Sequence, residues 1–342
     1  MIIDLPNCTT QNILRRLREV REERGEVATG RVLTFVVAAQ GKDDLDTITR
    51  IIHDASREHP ARVVVLVSHE EPGEPVLDAQ LRLGGDAGAS EVIIMHLKGE
   101  LSKHRASVVT PLLLPDTPVV VWWPSAAPRN PAADPIGALA TRRIVDSFFD
   151  ADSDGLYRRR MTYSPGDSDL VWSRLTLWRG QLASALDHPP LEDVLSVDLY
   201  GPAEDPAVDI AAGWLANRLD VPVTRHSSGS PKTPLDDQGR AVTPVEKTVL
   251  HRPTADITLE VVDANTVRTC VGDSESLVAL GRRAPGDCIA EELRHLDPDQ
   301  AFGLALRGLV RVNRPDRGGR GVYRSGHTVP ERDGGFQEES QR

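Results

Sequence analysis

Three cysteines in 342 residues cannot build a disulfide scaffold, which points to a reduced, intracellular setting. No apolar run approaches the ~18 residues that span a bilayer, and the start MIIDLPNCTT has no basic n-region, so a cytoplasmic chain without membrane contact is expected. Positive charge is in deficit: 40 Lys and Arg against 51 Asp and Glu leave a formal net charge of −11. That balance argues against a protein that coats nucleic acid or an anionic membrane. Hydrophobic residues at 39% are enough for a packed core, and the length suggests two domains.

Catalytic and cofactor signatures are also missing. No G-x-G-x-x-G follows a strand-like run, and no G-x-x-x-x-G-K-[ST] occurs anywhere. The glycine-rich LGGDAGAS (83–90) precedes a strand and opens no helix, the wrong order for a phosphate cradle. DADSDG (150–155) starts like a calcium loop, but its twelfth position is Met161 and Arg158, Arg159 and Arg160 bring positive charge there; a capping loop is expected instead. Cys8, Cys270 and Cys288 form no C-x-x-C, no G-x-S-x-G elbow exists, and no two histidines sit four apart on a helix. His96 and His251 fall in strand-like runs and read as satisfied structural histidines. Neither a metal nor a cofactor is called for, and nothing marks an enzyme.

What is present is a clear alternation of patterns. MIIDL reads as a strand, followed by a helix capped by Thr9 or Thr10, with Ile13, Leu14, Leu17 and Val20 at helical spacing and Gly25 at its end. RVLTFVVAA, RVVVLVS, EVIIMHL and TPVVVWWP are continuous apolar runs of strand length, and RRIVDSFF (142–149) adds a fifth. With amphipathic helices between them, such as the one behind Asp43 or Asp44, they predict a mostly parallel sheet covered on both faces. A helix is expected over Ser168–Asp187 and a boundary at the His188-Pro189-Pro190 stop, giving an α/β domain over 1–190. Residues 191–312 alternate more regularly and predict a smaller α+β domain with a mainly antiparallel sheet and two closing helices, the second capped by Asp297. The stretch 226–244 has the composition of a mobile insertion, and 313–342 that of a disordered Arg- and Gly-rich tail. Its RGGRG resembles single-strand RNA-binding tails, but five acidic residues share the stretch, so no nucleic-acid role is expected.

The most unusual local feature is VVVWWP (119–124). Neighbouring strand residues face opposite ways, so Trp122 and Trp123 lie one under each helical layer, or one ring reaches the sheet's C-terminal edge, where such folds bind ligands and partners.

Several long segments resemble one known family, the actinobacterial and cyanobacterial glucose-6-phosphate dehydrogenase assembly proteins (OpcA). They include GRVLTFVVA, ASREHPARVVVLV, LDAQLRLGGDAGASEVIIMHLKGEL, LLLPDTPVVVWWPSAAP, GDSDLVWSRLTLWRGQLASALD and LGRRAPGDCIAEELRHLDPDQAFGLAL, reaching from Met1 to about Val312. The resemblance implies a non-catalytic partner of glucose-6-phosphate dehydrogenase that promotes its active oligomer in the oxidative pentose phosphate pathway. The dehydrogenase's own R-I-D-H-Y segment is absent, and no thiol-redox role transfers to Cys270 and Cys288. Position and chemistry nominate Trp122, Trp123, Arg142 and Arg143 as the partner interface, with the first helix second. The competing expectation is a sugar phosphate or nucleotide bound at the C-terminal edge of the first sheet.

Overall fold

Burial on both faces is what turns the apolar runs into strands: in the computed structural model every residue of Ala61–Ser68 is buried, as are seven of the eight in Leu33–Gln40. The structure describes residues 1–24, 32–83, 91–150, 154–229, 243–263, 265–280 and 283–315. The closing Gly25, most of LGGDAGAS, the core of DADSDG, residues 230–242 of the 226–244 stretch and nearly all of the tail fall outside them.

The first half runs β1 (Ile2–Leu5), α1 (Thr10–Arg24), β2 (Leu33–Gln40), α2 (Leu45–Ser56), β3 (Ala61–Ser68), β4 (Val76–Arg82), β5 (Glu91–Lys98), α3 (Arg105–Val109), β6 (Val119–Trp122), β7 (Arg142–Val145), α4 (Gly155–Thr162) and β8 (Asp167–Asp169). Its eight-stranded sheet has the order β1-β4-β5-β3-β2-β6-β7-β8. The six strands from β5 to β8 are parallel, and β4 and β1 add an antiparallel edge. The second half runs α5 (Leu170–Arg174), α6 (Thr176–Leu186), β9 (Ser196–Gly201), α7 (Pro206–Leu219), β10 (Val223–Ser227), β11 (Lys247–His251), β12 (Ile257–Asp263), β13 (Thr266–Val271), β14 (Ser274–Ala279), α8 (Pro285–Arg294), α9 (Gln300–Gly308) and β15 (Val312–Asn313). Its seven-stranded sheet has the order β14-β13-β12-β11-β9-β10-β15 and is antiparallel except where β9, β10 and β15 run parallel. The expected α/β architecture, with a mostly parallel first sheet and a mainly antiparallel second, is what the chain adopts.

Helix allocation follows apolar faces, not sequence order. On one face of the first sheet, α2 buries Ile48, Ile52 and Ala55 beside Phe35, Val37 and Trp122. The same cluster holds Cys288, Ile289 and Leu293 of α8, so the chain returns to the first sheet after completing β14. The other face is covered by α1 through Ile13, Leu17 and Val20. Trp172 of α5, Leu175 between the two helices, and Trp178 and Leu182 of α6 join the core over the second sheet. The single helix expected over 168–187 is therefore a strand and two helices. Asp169, extended at φ −141°, caps α5 with its side chain, and α6 starts afresh after Leu175. The two helices bridge the cores: Leu170 at the start of α5 joins the cluster of the first sheet, whereas Val171, Trp172, Trp178, Leu182 and Ala185 join that of the second. The last long helix is capped by Asp299 instead of Asp297: Asp299 Oδ1 accepts from the Phe302 N–H at 3.0 Å, whereas the Asp297 carbonyl is taken by Arg142. Helices α7 and α9 touch backbone to backbone at a glycine pair, where a Cβ on Gly308 would lie 1.9 Å from the Gly213 oxygen.

Candidate functional site

From β2 the chain passes to β3 on one side, and the later strands β6, β7 and β8 are laid down on the other. Such a reversal opens a crevice between the carboxyl ends of the two strands, the usual ligand position in open α/β sheets. A cavity of about 430 Å³ lies there. Lys42, Asp43 and Asp44 border it from the β2–α2 turn, and Pro124 and Ser125 border it beyond β6. The second half of the chain supplies the opposite wall through Leu177, Trp178, Asp205, Pro244 and Leu280.

The start of α2 is where a dinucleotide fold would hold a phosphate. Here the chain has filled that position itself. Asp44 Oδ1 accepts from the N–H groups of Asp46 at 3.0 Å and Thr47 at 3.2 Å, and its other oxygen accepts the Thr47 hydroxyl at 2.7 Å. The bond from the Thr47 hydroxyl, with the two N–H groups, holds the Asp44 carboxyl below its ordinary pKa, so it stays charged. Asp43 accepts the Gln40 N–H at 2.8 Å and the Ser125 hydroxyl at 2.7 Å. Asp46 adds a third carboxylate to the first turn. The donors that would cradle a pyrophosphate are occupied and ringed by negative charge, so these residues do not fit a dinucleotide. Among the described residues no cluster of three or more His, Cys, Asp or Glu side chains could hold a metal ion.

Beneath the crevice the polar groups pair with one another. Both oxygens of Asp146 accept from Arg174, the Nη1 bond being 2.8 Å. Burial alone would lower the Arg174 pKa, but the Asp146 carboxylate outweighs it and raises it. Asp169 accepts the N–H groups of Ser147 and Val171, each at 3.1 Å, and the Ser147 hydroxyl. Complete burial nevertheless pushes its carboxyl up to about 6. Asp150, the first residue of the calcium-like run, is bound by Arg159 at 2.6 and 2.9 Å.

All four residues nominated for a partner interface are buried in the folded chain. Trp122 is 2% exposed and stacks on Phe35 with centroids 6.2 Å apart, while Trp123 is fully buried in the cluster on the other face. The rings thus lie one under each layer, and only Trp122 reaches the crevice wall. Arg142 donates through Nε to Glu292 at 2.8 Å, and Arg143 donates through Nε to Asp167 at 2.5 Å. Their charges are spent inside the protein. The basic stretch of α1 is partly spent as well: Arg16 pairs with Glu19 at 3.1 Å, and Arg21 reaches the buried Glu91 at 2.6 Å. Arg15 and Arg18 stay exposed. His251 is satisfied by Asp198 at 2.8 Å and Asp256 at 3.1 Å, and His96 faces His69 at 3.1 Å.

Sequence reasoning missed Asp146, Phe148, Phe149 and Arg174, all of which border the crevice. RRIVDSFF was read as one strand, but the strand stops at Val145, because Asp146 turns the chain by accepting the Phe148 N–H at 3.2 Å. The polar Asp146 at the end of the apolar run was the available signal. Arg174, on the helix after the next strand, carried no local signal.

Two family models match the sequence: the glucose-6-phosphate dehydrogenase subunit N-terminal domain over residues 52–161 and the corresponding C-terminal domain over 165–306. Among curated proteins, the OxPP cycle protein OpcA of Synechocystis sp. is 30% identical over 140 residues, covering 38% of this chain and 29% of that protein. Its counterpart in Synechococcus elongatus is 28% identical over 180 residues, covering 47% and 40%. The matches thus span less than half the length of either relative. Among solved structures, a 3-ketoreductase from Actinomadura kijaniata superposes with a TM-score of 0.41 at 10% identity, over 82% of this chain and 98% of that one. An NAD-binding oxidoreductase from Klebsiella pneumoniae gives 0.40 at 8% identity, over 81% and 94%. Among the described residues, no helix is long and apolar enough to cross a membrane.

Proposed function

The chain belongs to the glucose-6-phosphate dehydrogenase subunit family, and from that premise we propose that it acts as a non-catalytic assembly partner of that dehydrogenase. The observation that supports this reading is the switch-point crevice, where the chain's own Asp44 takes the helix N–H groups that a cofactor phosphate would need. The protein works by binding the active dehydrogenase conformation or oligomer more tightly than the inactive one. A tenfold preference corresponds to ~1.4 kcal/mol of coupling, within reach of a single interface. With Trp122, Trp123, Arg142 and Arg143 buried, the contact falls to α1, whose Arg15 and Arg18 are exposed.

Purified dehydrogenase titrated with this protein at defined ratios tests the reading by activity and sedimentation velocity. Higher activity together with a heavier species is expected, and Arg15→Glu with Arg18→Glu weakens both. Unchanged activity with no shift in sedimentation refutes it.

A second reading keeps the cavity as a site for a sugar phosphate or nucleotide, favoured by its volume of about 430 Å³. Thermal stabilisation of the isolated protein by glucose 6-phosphate, 6-phosphogluconate or NADP would support it.

A further inference from the structure

We infer that the crevice is a binding site for an uncharged, planar aromatic molecule, with an apolar interior and a rim that rejects anions. This site stands independently of the assembly role.

Its volume of about 430 Å³ is that of a small-molecule pocket. Four aromatic rings border it, those of Trp122, Phe148, Phe149 and Trp178. Phe148 and Phe149 meet edge-on, with centroids 5.3 Å apart at 88°, so the pair offers a ring face and a ring edge to a planar guest. Phe149 is 56% exposed and Leu177 47% exposed, although both border the cavity. Apolar surface left in water at a pocket costs about 25 cal/mol per Å², and a bound apolar molecule recovers it. The Trp122 Nε1–H, although buried, has no hydrogen-bond partner among the described residues.

The polar groups around the cavity are committed elsewhere. Arg174 is held by Asp146, and Arg283 is held by Glu291 and the Ser173 carbonyl. Asp43 binds Ser125, Asp44 caps α2, and Asp205 caps α7 through the Ala207 N–H at 2.9 Å. Lys42 is the one bordering cation for which no charge partner is seen among the described residues, and the carboxylates of Asp43, Asp44 and Asp205 border the same cavity. An entering phosphate or carboxylate would therefore find no free guanidinium, and the single Lys42 ammonium set against the bordering carboxylates of Asp43, Asp44, Asp146 and Asp205, whereas an uncharged ring loses nothing to that charge.

Two fluorescent probes built on one N-phenylnaphthylamine body separate these cases on the full chain: uncharged N-phenyl-1-naphthylamine and its sulfonate, 8-anilinonaphthalene-1-sulfonate. The uncharged probe is expected to bind saturably at one site, with the sulfonate at least tenfold weaker. Leu177→Glu, which places a carboxylate at the mouth, is expected to weaken the uncharged probe at least tenfold without changing the circular dichroism or the thermal midpoint. Phe149→Ser provides the same readout should Leu177→Glu perturb folding. Equal affinity for the two probes overturns the inference. So does displacement of the uncharged probe by NADP or glucose 6-phosphate, binding that survives both substitutions, or no saturable binding at all.

Discussion

Glu292→Gln should cost about 3–5 kcal/mol of stability, although Glu292 lies 150 residues along the chain from its main partner. The carboxylate sits on α8 and is 3% exposed. It accepts from Arg142 Nε at 2.8 Å and Nη2 at 2.5 Å, and from the Ser173 hydroxyl on α5. Arg142, on β7 and also 3% exposed, gives its remaining Nη1 bond to the Asp297 carbonyl at 2.9 Å. This cluster therefore ties a strand of the first sheet to two helices that enter from the second half. Neutralising Glu292 leaves a buried guanidinium without its countercharge, which is why the loss exceeds that of an ordinary hydrogen bond. Arg142→Met strands the carboxylate instead and should cost a comparable amount. The double variant Arg142→Met with Glu292→Met removes both charges from the interior, so it should lose far less than the sum of the two single changes. Urea unfolding followed by tryptophan fluorescence supplies the four corners of the cycle. Single changes costing under about 1 kcal/mol, or additive behaviour in the double variant, would refute the reasoning.

Gly308→Ala puts a methyl 1.9 Å from the Gly213 oxygen and should destabilise the protein by about 1–3 kcal/mol or more, read by denaturant midpoint; an unchanged midpoint counts against the close helix contact. The Asp169 carboxyl is raised to about 6 by burial, so the folded state holds its proton longer than the unfolded chain does. The stability that proton contributes is complete below about pH 4 and lost as pH rises through 6, worth about 3 kcal/mol. Relative to the parent, Asp169→Asn should thus gain by that amount between pH 4 and pH 7, and a pH-independent difference would exclude it. Burial pushes the Cys288 thiol up to about 12, so iodoacetamide at pH 8 should label half-exposed Cys270 long before Cys288 in the native chain, as peptide mapping can check.

Element types and their main faces could be read from the chain because their causes are local. Continuous β-branched runs such as RVVVLVS have the pattern of strands covered on both sides, and the alternation through residues 247–271 that of a sheet with one covered face. The opposite fates of Trp122 and Trp123 also follow from strand geometry alone, since adjacent residues point apart. What a local pattern cannot carry is the identity of the surface that an apolar face will meet. An amphipathic helix specifies that it will be buried but not by what, so most of α5 and α6 went to the second sheet and α8 returned to the first. Arg142 and Arg143 looked like docking charges because their carboxylates, Glu292 and Asp167, come later in the chain and only the fold brings them within 2.8 Å. The crevice belongs to the same class. Its aromatic and acidic walls come from segments as far apart as Lys42 and Pro285, and the order in which strands take their places in the sheet, which no single stretch of sequence encodes, decides that they enclose a cavity.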